Sequence, residues 1–267
     1  MELHYRKSGT GHPLVILHGL YGASDNWYSI GRALSDSYEV YLVDLRNHGQ
    51  SPHDPVHTYA SMAEDVAGFF SDHRIRKAHV IGHSMGGKTG LSFGLQHPDL
   101  IGKMIMVDIS PCAYDPETWP EAGRHAKIMQ SLLDMDLDSI RTREEADSVL
   151  EKSIHQPEIR MFLLKNLKRQ SGGKFYWGLN LPVLANSLPE ILAGVVPCTD
   201  TENVNMPEFP LLFIKGACSS YLDSSHLEAI HRIFPCSLFR EIPEAGHWIH
   251  AEQPQVFLDT VRSFLGS

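Results

Sequence analysis

The sequence predicts an α/β fold with a mostly parallel sheet, interrupted by one long helical insertion. Two observations carry that reading. Short apolar runs alternate with amphipathic helical stretches in the first and last parts of the chain, the signature of a sheet covered on both faces. Between them, from residue 112 to 207, the segments read as helices alone.

The strand runs are residues 13–17, 39–43, 78–81, 103–107 and 210–214, mostly apolar and several rich in β-branched side chains. Such runs suit strands buried on both faces. A further strand pattern occupies 238–242. Residues 61–70 place Met62, Val66, Phe69 and Phe70 on one helical stripe, and 85–96 is small and apolar until His97 and Pro98 stop it. The rhythm breaks after Pro111. In the insertion, 124–133 reads as helix, 142–150 opens on the capping-box pair Thr142 and Glu145, and 157–168 ends before Gly172 and Gly173. Asp223 is placed to cap a helix over 224–234. The expected organisation is a core of 1–111 and 208–267, with 112–207 inserted at one edge of a strand as a lid.

Composition narrows the function classes. With 267 residues, 42% hydrophobic and 21% charged, the chain is neither disordered nor a coiled coil. Twenty-three basic against 32 acidic residues give a net charge of −9, which disfavours nucleic-acid partners. No apolar stretch is long enough to cross a bilayer and the first residues carry no secretory h-region, so a cytoplasmic protein is expected. Cys112, Cys198, Cys218 and Cys236 show no CxxC spacing and read as free thiols.

Chemistry concentrates at three places. Gly82-x-Ser84-x-Gly86 follows a strand and opens a helix, the setting of a strained turn that presents a nucleophilic serine. The same stretch also satisfies the phosphate-loop pattern through Gly82, Gly87, Lys88 and Thr89, and 104–108 resembles an apolar strand ending in a magnesium-binding aspartate. Two further features favour the serine. His18-Gly19 follows the strand ending at Leu17, where a backbone N–H for an oxyanion belongs, and Ala245-Gly246-His247-Trp248 follows the 238–242 run, where a general base belongs. A nucleotide loop explains neither. Ser84, Asp108 and His247 stand in the order nucleophile, acid, base.

His18-Gly19, 44–51, 82–88, 107–111 and 245–250 together resemble the α/β-hydrolase superfamily from end to end. Within it the chain is similar to the small YbfF-like serine esterases, a likeness that extends to 162–167 and 177–182 of the insertion. The resemblance implies an eight-stranded, mostly parallel sheet under a helical lid, and hydrolysis of carboxylic esters or acyl thioesters without a cofactor. It implies Ser84 as nucleophile, His247 as base, and the backbone N–H groups of Leu20 and Met85 as the oxyanion hole. The acid departs from the commonest pattern, because Ser219 stands where an aspartate is usual. Asp108 is therefore the expected acid, Ser219 a second contact to His247, and Asp223 a reserve acid. Phe162 and Trp177 are candidates for the acyl pocket. His18, Asp44, Arg46 and Ser51 are expected to shape loops, and the pairs His53/His57, His79/His83 and His247/His250 to be polar residues rather than metal ligands. The expected partner is a small acyl ester or thioester, with no nucleic acid and no membrane span. Relatives that cleave C–C bonds or act as lyases, and ligand receptors on this fold, share these motifs and stay open, as do the substrate and oligomeric state; a phosphate-loop NTPase is disfavoured.

Overall fold

The computed structural model describes residues 1–197 and 209–266. Its strands are β1 (Tyr5–Ser8), β2 (His12–Leu17), β3 (Tyr38–Val43), β4 (Ala78–His83), β5 (Ile101–Val107), β6 (Leu167–Arg169), β7 (Phe175–Trp177), β8 (Leu211–Gly216) and β9 (Leu238–Ile242). Its α-helices are α1 (Tyr28–Leu34), α2 (Tyr59–Asp72), α3 (Met85–Gln96), α4 (Pro120–Leu133), α5 (Arg143–Glu151), α6 (Pro157–Leu164), α7 (Leu181–Asn186), α8 (Leu188–Leu192), α9 (Ser224–Ile233), α10 (Ile249–Glu252) and α11 (Pro254–Leu265).

Among the described residues the main sheet has seven strands, in the order β1-β3-β2-β4-β5-β8-β9, one fewer than the resemblance implies. Every pairing is parallel except β1 with β3. All six runs read from the sequence form strands. The seventh, β1, is a four-residue edge strand whose Arg6, Lys7 and Ser8 are exposed, so no apolar alternation marks it.

Alternate side chains of the central strands feed two separate cores, as a period of two requires. On one face Val15, Leu17, Val80, Met104 and Met106 pack under α2 and α3 with Met62, Val66, Phe70 and Phe93. On the other, Leu14, Ile16, Ile81, Ile105 and Val107 pack against Trp27, Ile30 and Leu34 from α1 and its approach, and against Phe257 and Val261 of α11. The sheet is thereby held rigid from both sides, and the ends of β4 and β5 form a fixed platform.

Residues 112–197 contain α4 to α8 and also a small antiparallel hairpin, which the all-helical expectation missed. The helix expected over 157–168 stops at Leu164, Leu167–Arg169 pairs with Phe175–Trp177, and Gly173 takes the positive φ of 83° that the turn needs. The capping predictions hold: Thr142 and Glu145 box α5, and Asp223 caps α9. Of the thiols, Cys218 and Cys236 are free, Cys112 is disulfide-bonded against expectation, and Cys198 lies outside the described residues. Among the described residues no helix is long and apolar enough to cross a membrane.

The inserted segment is tied to the core where α8 ends. Tyr59 Oη–H donates to the Ile191 carbonyl at 2.7 Å, Tyr114 N–H to Leu192 at 2.9 Å, and Lys88 Nζ to Ala193 at 2.7 Å and Leu192 at 3.4 Å. Lys88 has no exposed surface, and that burial lowers its pKa from 10.5 to about 7. In the unfolded chain its ordinary value returns, so from about pH 7 to about pH 10 the unfolded state holds more protons and folding stability gains with pH. The denaturation midpoint of the wild-type protein should therefore rise across that window relative to Lys88→Met. Parallel pH profiles for the two proteins would refute this account of Lys88.

Candidate active site

Ser84 sits between β4 and α3 with φ 52° and ψ −123°, a left-handed conformation that costs about 1–3 kcal/mol for a non-glycine residue. The surrounding bonds hold it there. Its N–H donates to the Val107 carbonyl at 3.0 Å, and its carbonyl accepts from the Gly87 N–H at 2.8 Å. The loop after β2 presses against this turn: a Cβ on Gly19 would lie 2.7 Å from His83 Nδ1 and 3.1 Å from Ser84 Cβ, so glycine is required. His18 fixes that loop, as expected. Its Nε2 accepts from the Leu45 N–H at 2.9 Å, which leaves the proton on Nδ1 to donate to the Gly19 carbonyl at 2.8 Å. The N–H groups of Leu20 and Met85, flanking Ser84 from the loop and from the first turn of α3, have no hydrogen-bond partner among the described residues.

Asp108 follows β5, has no exposed surface and takes φ 50°. Its Oδ1 accepts from the Gly216 N–H at 3.1 Å; its Oδ2 accepts from His247 Nδ1–H at 2.8 Å and from the Ser219 hydroxyl. With Nδ1–H donating to Asp108, a neutral His247 imidazole presents Nε2 as a hydrogen-bond acceptor. One expectation needs correction. Ser219 donates to Asp108 rather than to His247, because its short side chain rises beside the carboxylate from the loop after β8. Asp223, the reserve acid, caps α9, accepting the His226 N–H at 3.0 Å.

Other residues brace His247, and the sequence reading missed them. Glu252 accepts the Gly246 N–H at 2.6 Å and the Trp248 N–H at 3.1 Å, clamping the loop on both sides of the histidine. His83, buried and with its pKa held well below the ordinary value by that burial and by His247 beside it, donates from Nε2 to the His247 carbonyl at 2.9 Å. The Tyr221 ring stacks on the imidazole at a centroid distance of 3.6 Å and 15°. No spacing rule links Tyr221 or Glu252 to the motif, so the sequence held no signal for them.

Ser84 and His247 open into one cavity of about 250 Å³. Phe162 lines it, beside Trp248. Trp177 does not, contrary to expectation: its indole N–H donates to the Leu132 carbonyl at 3.1 Å, and its partly buried ring packs against the hydrophobic core. Met129, Leu132 and Leu181 are buried core, while Met161 is 60% exposed.

The α/β-hydrolase fold family model matches residues 12–155, more than half of the chain. The chain belongs to the α/β-hydrolase family. It is 32% identical to esterase YbfF of Escherichia coli strain K12, over 95% of this chain and 92% of the relative. It is 37% identical to the sn-1-specific diacylglycerol lipase ABHD11 of Danio rerio, over 96% of this chain and 79% of that one. The solved structure of a marine microorganism esterase superposes with a TM-score of 0.94 at 40% identity, covering 98% of this chain and 99% of that one.

In this α/β hydrolase the phosphate-loop pattern has a structural use, since Lys88 Nζ donates to carbonyls at the end of α8. The two candidate acids are separable by mutation. Asp108→Asn should cut turnover about 10³–10⁴-fold by stabilising the wrong histidine tautomer. Asp223→Asn should leave turnover near wild type, since asparagine also caps helices well. Steady-state kinetics on the folded pair check this, and the reverse ranking would move the acid to Asp223.

Proposed function

We propose that this protein is a serine esterase that hydrolyses carboxylic esters or acyl thioesters through an acyl-enzyme on Ser84. The observation that carries the reading is the buried Asp108–His247 hydrogen bond, opening beside Ser84 into a single cavity. Membership of the α/β-hydrolase family, with relatives named esterase and lipase, supports ester hydrolysis as the reaction class.

Ser84 Oγ attacks the acyl carbon while His247 Nε2 takes its proton. The forming imidazolium is stabilised by Asp108, which already holds Nδ1. The negative charge that develops on the acyl oxygen is met by the Leu20 and Met85 N–H groups, each worth roughly 10²–10³ in rate at comparable sites. His247 returns the proton to the leaving alkoxide or thiolate, and water activated by the same histidine releases the acid. The step uses only side-chain and backbone groups.

The segment after Pro111 acts as the lid in this reading. Ile128 of α4 and Ile159, Phe162 and Leu163 of α6 supply apolar wall to the cavity. Its volume suits short to medium acyl chains.

A fluorophosphonate should label Ser84 and abolish hydrolysis of short- and medium-chain p-nitrophenyl esters, and Ser84→Ala should do the same. Mass spectrometry locates the adduct; normal turnover by Ser84→Ala would end the proposal. The corrected pocket makes a separate prediction. Phe162→Ala should shift chain-length preference about tenfold toward longer acyl groups, in line with about 1–3 kcal/mol per methylene in an apolar pocket. Trp177→Phe should leave that preference unchanged and lower the melting temperature, through loss of the bond to Leu132. A panel of esters of graded length and a thermal melt distinguish the two.

A further inference from the structure

The cavity lining is of two kinds. Ile128, Ile159 and Phe162 are apolar. Among them, Tyr21, His125 and Tyr221 form a chain of polar atoms: His125 Nε2 lies 2.9 Å from Tyr221 Oη, and Tyr21 Oη lies 3.4 Å from both His125 Nδ1 and the His125 carbonyl. All three residues line the cavity. The reaction as derived above uses none of their polar atoms.

From this arrangement, and resting on the esterase reading of the same cavity, we propose that Tyr21, His125 and Tyr221 form a subsite for a neutral hydroxyl group carried by the ester substrate. The physical case begins with charge. Burial holds His125 down at about 3 and raises both tyrosines, so all three groups are neutral at ordinary pH. The nearby Glu121 and Arg124 pair with each other at 2.9 Å. Arg124 lines the cavity but is already paired with Glu121, and Glu252 adds a second carboxylate to the lining, so the site is poorly suited to a carboxylate or phosphate and suits an uncharged group that both gives and accepts a hydrogen bond.

Hydrogen-bond supply points the same way. The three groups carry one proton each, but only the His125–Tyr221 contact is at full strength. The two contacts of Tyr21 sit at the long limit of a hydrogen bond. If His125 holds its proton on Nε2 and gives it to Tyr221, the Tyr221 hydroxyl proton is released toward the cavity; if it holds it on Nδ1, the donor turns to Tyr21. Either tautomer leaves spare capacity in a desolvated wall, and a substrate hydroxyl satisfies it. An unsubstituted alkyl group would leave that capacity unmet, which is how a polar site rejects an apolar analogue.

The hydroxyl can belong to the acyl group or to the alcohol, and two substrate pairs separate these sources. One pair is p-nitrophenyl β-hydroxybutyrate against p-nitrophenyl butyrate; the other is hydroxyethyl butyrate against propyl butyrate, followed by acid release. The wild-type enzyme should prefer the hydroxylated member of at least one pair by about tenfold or more in kcat/KM. Tyr221→Phe, which keeps the stacked ring, and His125→Leu should bring that ratio to within about twofold of one. If His125→Leu does not fold, Tyr21→Phe takes its place. A merely structural role would slow both members of a pair equally and leave the ratio intact. Ratios near one for the wild type in both pairs, or a preference that survives the substitutions, would overturn the subsite. Failure of the esterase reading has a different signature, namely no turnover of either member, or turnover that Ser84→Ala retains.

Discussion

The architecture around the site depends on burying one carboxylate. Asp108 has no solvent contact, and a buried acid is tolerable only when its oxygens are met by donors. The three donors come from separate stretches of chain: the Gly216 amide at the end of β8, the Ser219 hydroxyl in the loop that follows, and His247 beyond β9. β8 pairs with β5 on one side and β9 on the other, so one carboxylate ties the ends of three neighbouring strands into a single polar knot. Ser84 and Asp108 both take left-handed φ values immediately after adjacent parallel strands. Each residue turns the chain out of the sheet at its carboxyl end, where ligands bind in open α/β folds.

A second set of contacts keeps His247 in one orientation. Its Nδ1 is fixed by Asp108, its carbonyl by His83, its neighbouring amides by Glu252, and its ring face by Tyr221. Behind these, His250 stacks on Trp27 at 3.9 Å and 13° and lies 5.1 Å from the His83 ring. Those histidines are buried neutral groups whose pKa values are lowered chiefly by desolvation, so they serve as shaped polar packing and not as proton carriers. The x of Gly82-x-Ser84 is thus a brace for His247.

What the sequence made legible follows the range of the physics involved. Elements specified by local rules were readable: the buried strand runs, the Thr142 and Asp223 caps, and the strand-turn-helix around Ser84. The order of Ser84, Asp108 and His247 was readable because motif positions along the chain carry it. Elements set by tertiary contact were not. β1 is largely charged and exposed and pairs in the sheet with β3 alone, and the β6–β7 hairpin lies in a segment whose apolar residues also suit helices. Trp177 shows the same limit: its size and place in the insertion suggested a pocket wall, but its indole N–H finds the end of α4. The Ser219 hydroxyl is the subtler case. Its position in the sequence was informative, because a serine where an aspartate is usual after β8 directed attention to the aspartate after β5, but only geometry could show which of two neighbours it would bond.

Lys88 shows why a pattern match needs that geometry. In a phosphate loop the lysine reaches an anion, and its charge is repaid by the ligand. Here the same residue, one turn into the helix after Ser84, is enclosed by protein and meets the last carbonyls of α8 together with the face of Tyr114 at 4.7 Å. A helix C-terminus leaves its final carbonyls without partners, and Lys88, Tyr59 and the Tyr114 amide supply three of the missing donors. The lysine thus performs for the end of the inserted segment what a cap performs within a helix, across 105 residues of sequence. In both cases the amino group donates its protons to oxygen atoms. Which oxygens it meets is decided by the fold around it, and here they are the last carbonyls of α8, held against the helix that begins after Ser84.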